Sequence, residues 1–231
     1  METLLQNGLS ALGLPTENIP QLRRFSELLL EKNKVMNLTA ITEEKDVATL
    51  HLLDSAALLN TADFSGKTVV DVGTGAGFPG MPMRIVKEDF SLTLLDSLNK
   101  RIDFLKDCCQ DLGFADVNCV HARAEEFAAQ HRESYDFATS RAVANLSVLS
   151  ELALPLVKVG GQFLSMKSVD SEEEISAAKS AIKTLGGKIS RVEDYTIPGT
   201  EVTHRVVVID KIAPTPAKYP RAFAKIKKQP L

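Results

Sequence analysis

Apolar positions recur along this chain with two periods, and the period changes where the architecture changes. Leu22, Phe25, Leu28, Leu29 and Met36 fall at three- and four-residue steps, which predicts a helix that begins at Pro20. Lys32 lies on the same stripe, its stem covering apolar surface while its charge points out. A second helix is predicted after Thr42 as N-cap, with Glu43 and Glu44 in the first turn and Val47, Leu50, Leu53, Ala57 and Leu58 as its buried stripe. Past residue 66 the pattern changes to short β-branched runs alternating with amphipathic stretches. Strands are predicted at 67–72, 92–95, 118–120, 135–141 and 162–166. Between them, Met83 to Val86 opens the first core helix. Ile102, Leu105, Cys108, Cys109 and Leu112 line the next, with Gly113 as its C′ residue. Val143, Leu146, Leu149, Leu152 and Leu156 line a third, and Gly160 and Gly161 are expected to end that segment. Ser171 with Glu174 predicts a capping box before the stripe Ile175, Ala178, Ile182 and Leu185, which Gly186 and Gly187 close. The last two strands, 188–197 and 205–210, are separated by Pro198-Gly199-Thr200 and a few more residues. That is too short for a parallel crossover, so the pair must be antiparallel.

The pattern predicts an α/β fold of five alternating units followed by a hairpin: a seven-stranded, mostly parallel sheet with an antiparallel C-terminal hairpin. Residues 1–62 form a helical N-terminal extension, 63–212 the core and 213–231 a basic tail. The chain's centre is Val69-Val70-Asp71-Val72-Gly73-Thr74-Gly75-Ala76-Gly77-Phe78-Pro79-Gly80, a strand followed by a glycine turn and a helix. A dinucleotide fingerprint needs glycine at position 78, where this chain has Phe. Phe78, Pro79 and Pro82 crowd the helix start and Pro79 brings no N–H, which favours a bulky, uncharged or cationic ligand part over a diphosphate. Asp-Val-Gly-Thr-Gly-Ala-Gly-Phe resembles the S-adenosylmethionine loop of the Rossmann-like class I methyltransferases, and the layout of strands agrees with that fold. Asp96 ends the second strand some 20 residues on, where an acid can accept both ribose hydroxyls of an adenosine or cap the helix that follows. Further along, an adenine ring can lie against Ala124, with Glu125 or a nearby backbone group reading its amino group.

At 231 residues, 44% hydrophobic and 25% charged, the chain suits one substantial soluble core. The acidic start and the broken apolar pattern of the first residues are not those of a secretory signal, and no apolar run is long enough for a bilayer. Three cysteines, Cys108, Cys109 and Cys119, without C-x-x-C spacing, fit reduced, mainly buried thiols in the cytoplasm. A net charge of −3 argues against nucleic-acid binding by bulk attraction, yet from Lys211 onward there are six basic residues and no acid. That tail is either a phosphate contact or a solvated end. His51 and Asp54, three apart on the second helix, can share a hydrogen bond, as a catalytic pair or as a packing pair.

Seven stretches together resemble one family. They are Met36 to Ile41, His51 to Ser55, Asp71 to Gly80, Asp96-Ser97-Leu98-Asn99-Lys100-Arg101, Arg123-Ala124-Glu125, Ser140 to Ala144, and Tyr219-Pro220-Arg221. The family is that of the bacterial small-subunit (16S) ribosomal RNA guanine-N7 methyltransferases, the glucose-inhibited division protein B family, and the likeness spans nearly the whole chain. It implies S-adenosylmethionine as cofactor, held by Gly73, Gly75, Phe78, Asp96, Ser97, Leu98, Ala124, Glu125 and Arg141. Small-subunit rRNA, free or in the assembled subunit, is the implied substrate, and a monomer is expected. Lys100, Arg101, Arg123, Lys167 and Arg221 are the candidate RNA contacts. The family's C-terminal motif continues with a Gly and a Pro where this chain has Ala224 and Ile226, which leaves the tail's conformation open.

Guanine N7 carries a free lone pair and releases no proton on attack, so in-line methyl transfer needs no general base. None of His51, His121, His131 and His204 is therefore assigned as one. Alignment of the reactants is the main source of rate, worth about 7–11 kcal/mol in the best intramolecular cases. A guanidinium at N7 itself would oppose the charge that develops there, so Arg141, Arg123, Lys100 and Arg101 suit phosphates, O6 or the cofactor carboxylate. Lys100 and Arg101 are equally surface ion-pair partners. Three rival readings remain at this level: methylation of another substrate, a nicotinamide-dependent oxidoreductase (disfavoured by Phe78), and a non-catalytic RNA-binding module, which would not need the glycine loop and Asp96 together.

Overall fold

A computed structural model describes residues 1–141 and 144–231; Val143, expected on a helix face, lies outside the described residues. Seven strands form one sheet: β1 (Thr68–Val72), β2 (Ser91–Asp96), β3 (Asn118–His121), β4 (Tyr135–Arg141), β5 (Val157–Ser168), β6 (Gly187–Thr196) and β7 (Thr203–Lys211). They lie in the order β3-β2-β1-β4-β5-β7-β6. The first five are parallel, and β7 runs antiparallel to both β5 and β6, as the short connection between the last two strands requires. The chain winds outward from β1 to β3, returns, and resumes on the other side at β4. The switch point between β1 and β4 leaves a crevice at their carboxyl ends.

Ten α-helical segments are described: α1 (Glu2–Ala11), α2 (Ile19–Met36), α3 (Glu44–Asp46), α4 (Asp54–Ala57), α5 (Gly80–Val86), α6 (Asn99–Leu112), α7 (Ala124–Gln130), α8 (Leu146–Ala153), α9 (Glu172–Thr184) and α10 (Phe223–Lys228). Alternation along the central strands divides them into two layers. Val69, Leu92, Leu94, Val206 and Val208 face a core that includes residues of α1, α2, α5 and α6. Val70, Val72, Val207 and Ile209 face one that includes residues of α7, α8, α9 and α10. Leu5, Leu22, Phe25, Leu52 and Leu53 share the first core with Phe78 and Leu105, so the N-terminal helices pack as part of the main core.

The elements lie close to where the pattern puts them, with four instructive departures. The helix expected after Thr42 starts one residue later, at Glu44, and no side-chain cap bond holds its start. It then widens into a π-helical run at Val47–Leu53 before α4, a form that often marks functional sites. Gly160 and Gly161 lie inside β5, which starts at Val157. The pairing with β4 slips there, from Tyr135 opposite Val157 to Phe137 opposite Gln162. A Cβ on Gly161 would collide with the Asp136 carbonyl oxygen, and with the slip in register the glycine marks a bulge and not an end. The capping box does not form. Ser171 Oγ is buried without a partner, and the Glu174 carboxylate, which would reach back to the Ser171 N–H, instead binds the Lys167 ammonium at 2.6 Å and accepts the Leu146 N–H.

The tail is folded onto the protein. Tyr219 and Ile226 are buried in the second core. Arg132 donates to the carbonyls of Thr215, Pro216 and Tyr219. Lys211, counted above among the tail's basic residues, is buried on Glu133 and the carbonyls of Leu154 and Val157. Arg221 grips the fully buried Glu151 with Nε and Nη2, at 2.8 and 2.6 Å. Its replacement would strand a buried carboxylate. Arg221→Ala should therefore lower unfolding free energy by about 3 kcal/mol, read as a shifted urea midpoint, while Lys227→Ala on the exposed face of α10 should change it by less than about 0.5 kcal/mol.

Candidate active site

The glycine loop is built between two carboxylates. Asp71 alternates with Val70 and Val72 on β1 and so points toward α5, where it is fully buried. One of its oxygens accepts from Thr74 Oγ1 at 2.6 Å and from the Gly80 N–H at 3.0 Å; the other accepts from Thr139 Oγ1 at 3.2 Å. The carboxylate thus ties both ends of the turn to the sheet. Burial pushes its pKa up to about 6, against the pull of those donors. Gly75 has φ +60 and Gly77 φ +99, and a Cβ on Gly77 would lie 2.8 Å from Leu105 Cδ2, so the loop's path depends on glycine there.

Asp96, at the end of β2, holds the loop's outer side. Its Oδ2 accepts the Gly75 N–H at 2.9 Å and Arg101 Nη1 at 3.3 Å, and its Oδ1 accepts the Leu98 N–H at 2.9 Å. Three donors leave one of a carboxylate's four acceptor positions open, on Oδ1. A second ribose hydroxyl would have to displace the long Arg101 bond. Gly73, Gly75, Phe78, Asp96, Ser97, Leu98 and Arg141 line one cavity of about 540 Å³, together with Leu38, Thr39, His51, Thr74, Ala76 and Arg101. Ala124 and Glu125 do not line it. They open α7 one strand further out, behind Ala122, whose N–H binds the Asp96 carbonyl. The donor set suits an adenosine-type ligand. Asp96 offers an acceptor for a hydroxyl, the loop at Gly75 faces open space, and Leu98 is a 44% exposed apolar side chain at the rim.

The other wall comes from the N-terminal helices. Phe78 stacks on His51 with centroids 4.4 Å apart, meets Phe25 edge-on at 5.7 Å, and carries the Arg141 guanidinium 4.8 Å from its centroid. Arg141, at the end of β4 beside the switch point, donates Nη1 to the Leu50 carbonyl and to Asp54 Oδ2, both at 3.0 Å. Its Nη2 lies 3.0 Å from His51 Nδ1. A guanidinium only donates, so that nitrogen accepts, and Nε2–H donates to Thr39 Oγ1 at 2.7 Å. Burial, helped by the Arg141 charge, lowers the His51 pKa to about 4 and holds the ring neutral. His51 and Asp54 do not bond each other as the helical spacing suggested. Asp54 instead accepts from Arg141, Tyr195 (2.7 Å) and His204 Nδ1 (2.8 Å). Burial alone would push the Asp54 carboxyl up, but the His204 bond, the Arg141 charge and the Tyr195 hydroxyl hold it below the usual range. His51 and Arg141 also line a second cavity of about 580 Å³, with Ile41, Leu50, Asp54, Met166, Lys167, Ser168, Val202 and His204.

The five candidate RNA contacts part company. Lys100 and Arg123 are exposed, Arg123 with its guanidinium 6.0 Å from the Phe223 ring. Arg101 sits in the first cavity on Asp96. Lys167 and Arg221 are engaged inside the protein, Lys167 by the Ala144 carbonyl and Glu174, Arg221 by Glu151. Sequence reasoning missed the roles of Asp71, Thr39, Tyr195 and His204. For Asp71 the signal was an acid inside a buried β-branched run with Thr three residues on; Tyr195 and His204 gave none.

A family model described as rRNA small subunit methyltransferase G matches residues 18–203. A ribosomal RNA small subunit methyltransferase G of Alkaliphilus metalliredigens is 47% identical over 99% of this chain and 98% of its own length. Its namesake in Clostridium perfringens (strain 13 / Type A) is 47% identical over 90% and 88%. Among solved structures, M. jannaschii TYW2 in complex with AdoMet matches with a TM-score of 0.58 at 14% identity, over 75% of this chain and 80% of that one. TrmN from Thermus thermophilus matches at 0.55 and 20%, over 68% and 48%. These two likenesses show the class I methyltransferase fold. No helix of the described residues is long and apolar enough to cross a membrane.

Asp71 and His51 give opposite pH signatures. A carboxyl raised from 3.8 to about 6 adds stability below pH 3.8 and loses it as pH climbs through 6. A histidine lowered from 6.5 to about 4 adds stability above pH 6.5 and loses it as pH falls through 4. In Asp71→Asn the first term vanishes. The stability of the wild type relative to that variant, from urea midpoints, should fall by on the order of 2 kcal/mol between pH 4 and 7.

Proposed function

The chain belongs to the rRNA small subunit methyltransferase G family, and from that premise we infer that it transfers a methyl group from S-adenosylmethionine to N7 of a guanine in small-subunit (16S) rRNA. The observation that carries the cofactor half of this reading is the cavity where the glycine loop, Asp96 and Leu98 meet at the switch point of the sheet. S-adenosylmethionine, when bound, supplies a methyl carbon made electrophilic by its sulfonium. Gly73 and Gly75 let the backbone approach it, Asp96 offers Oδ1 to a ribose hydroxyl, and Leu98 covers the adenine. Ala124 and Glu125, at the start of α7 one strand further out, do not line this cavity and are assigned no contact with the ligand. Arg101 supplies a positive charge in the same cavity, suited to the cofactor carboxylate or to an RNA phosphate.

The chain's remaining task is to present N7 along the line of transfer and keep water out. No residue needs to take a proton. His51 could not serve well if one were needed: both ring nitrogens are occupied, and the ring is a stacking platform for Phe78. Of the five candidate RNA contacts, Lys100 and Arg123 stay exposed, and Lys225, Lys227 and Lys228 are exposed on α10. A net charge of −3 suits recognition of the assembled small subunit by shape over bulk attraction to RNA, and the reading takes the enzyme as a cytoplasmic monomer.

The test is a labelled-methyl assay on small subunits lacking the modification, with the product base mapped. The wild type should label one guanine at N7. Asp96→Ala should lower cofactor affinity by about 100-fold or more, as expected when a charged hydrogen-bond partner and a loop brace are lost together. Label on protein alone, or on no RNA, would defeat the reading.

A further inference from the structure

The second cavity has two kinds of wall. Ile41, Leu50, Met166 and Val202 are apolar; on the polar side, besides Ser168 and a Lys167 engaged by Glu174 and the Ala144 carbonyl, two groups, Arg141 and His204, hang from the same buried carboxylate, Asp54. Its volume, about 580 Å³, is in the range of small-molecule sites and more than a flat heterocycle requires. It shares His51 and Arg141 with the glycine-loop cavity, so a base seated in it would border the cofactor pocket.

The hydrogen bonds fix what the two polar groups offer. His204 Nδ1 faces a carboxylate at 2.8 Å and so is the donor there, and a ring with its one proton on that nitrogen has Nε2 left as an acceptor. No described residue bonds that nitrogen. Arg141 spends Nη1 and one Nη2 hydrogen on Leu50, Asp54 and His51, and keeps further N–H groups to give. An acceptor group and a donor group are therefore anchored on the two oxygens of one carboxylate at the lining of one cavity.

On the guanine-N7 reading above, on which this rests, we propose that His204 and Arg141 read the six-membered edge of the target guanine: Nε2 accepts N1–H and the guanidinium donates to O6. Adenine places an acceptor and an amino donor at those two positions and is refused at both. The same contact favours the reaction. The N7 lone pair forms the new N–C bond as the S–C bonding pair is released to sulfur, and the base becomes cationic with its N1 proton still in place. A cationic purine is a stronger N1–H donor, so the bond to Nε2 tightens in the transition state, the kind of interaction that accelerates a reaction. Arg141 does not oppose the new charge as a free guanidinium would, because Asp54 balances it at 3.0 Å. Asp54 and Tyr195 act through these two as positioning residues.

The experiment uses unmodified small subunits carrying guanosine, inosine or 2-aminopurine riboside at the mapped position. Inosine keeps O6 and N1–H; 2-aminopurine keeps N7 and loses both. The wild type should methylate inosine within about tenfold of guanosine and 2-aminopurine at least about 100-fold more slowly, since a site built to pair a polar group rejects an analogue lacking it. His204→Phe should cost about 100-fold in kcat/KM on guanosine and nearly nothing on 2-aminopurine, the loss of one transition-state hydrogen bond. His204→Gln, which returns an acceptor near Nε2, should recover part of that loss on guanosine. Cofactor affinity should be unchanged in both variants, because His204 does not line the glycine-loop cavity. If His204→Phe methylates guanosine N7 with discrimination intact, or the wild type accepts 2-aminopurine as readily as guanosine, the inference is overturned and the functional reading survives. If the wild type labels no guanine N7, both fall. Should His204→Phe fail to fold, the wild-type comparison of the three bases and the Gln variant still decide.

Discussion

One buried carboxylate ties together three parts of the chain that sequence keeps far apart. Asp54, fully buried at the end of the π-helical run, accepts from Arg141 on β4, Tyr195 on β6 and His204 on β7. A lone carboxylate in that position would be prohibitively costly, and the three donors together offset that cost. The N-terminal helices, the switch point of the sheet and the C-terminal hairpin are thereby held in one mutual arrangement. Phe78 extends that arrangement into the glycine loop by stacking on His51 and under Arg141. The N-terminal extension is thus a wall of the site as well as a cover for the sheet.

The loop itself follows a similar logic with the signs of exposure reversed. Asp71 braces it from inside, out of water, and Asp96 from outside, facing the cavity. Two acids close to one turn would repel if both stood in solvent at the same distance. Here burial raises the pKa of Asp71, while Asp96 has Arg101 beside it and backbone N–H groups on both oxygens. The inner acid sets the turn's shape; the outer one keeps an acceptor for a ligand.

Most of the fold was legible in the sequence because its signals are local. Strand periodicity, the glycine at 113 and the short link between the last two strands each decide something within a few residues. What was not legible depended on competition between distant groups. Ser171 and Glu174 have capping-box spacing, but Lys167 and the Leu146 N–H, distant in sequence, take the glutamate. His51 and Asp54 have helical spacing, but a guanidinium 90 residues from the histidine separates their hydrogen bonds. Gly160 and Gly161 read as an ending and serve as a bulge, because only the neighbouring strand reveals the slip in register. In the site, residues on the loop and after β2 could be named from spacing, whereas Tyr195 and His204 lie on strands whose order in the sheet no local pattern specifies.

The chain's charge follows from the same pairing. Many of its cations are consumed internally: Arg141 by Asp54, Lys167 by Glu174, Lys211 by Glu133, Arg221 by Glu151. These set positions of backbone and side chain and are withdrawn from any phosphate. Exposed cations remain, Lys100, Arg123 and the lysines of α10 among them, but a net charge of −3 gives the chain no bulk attraction for a polyanion. Affinity for RNA must then come from fit over a surface that the target already presents in shape, with a few cations fixing register. On the proposed function, an enzyme so built gains little from unstructured RNA, where each phosphate contact must be made against chain entropy, and most from a particle in which the target base and its flanking backbone are already arranged.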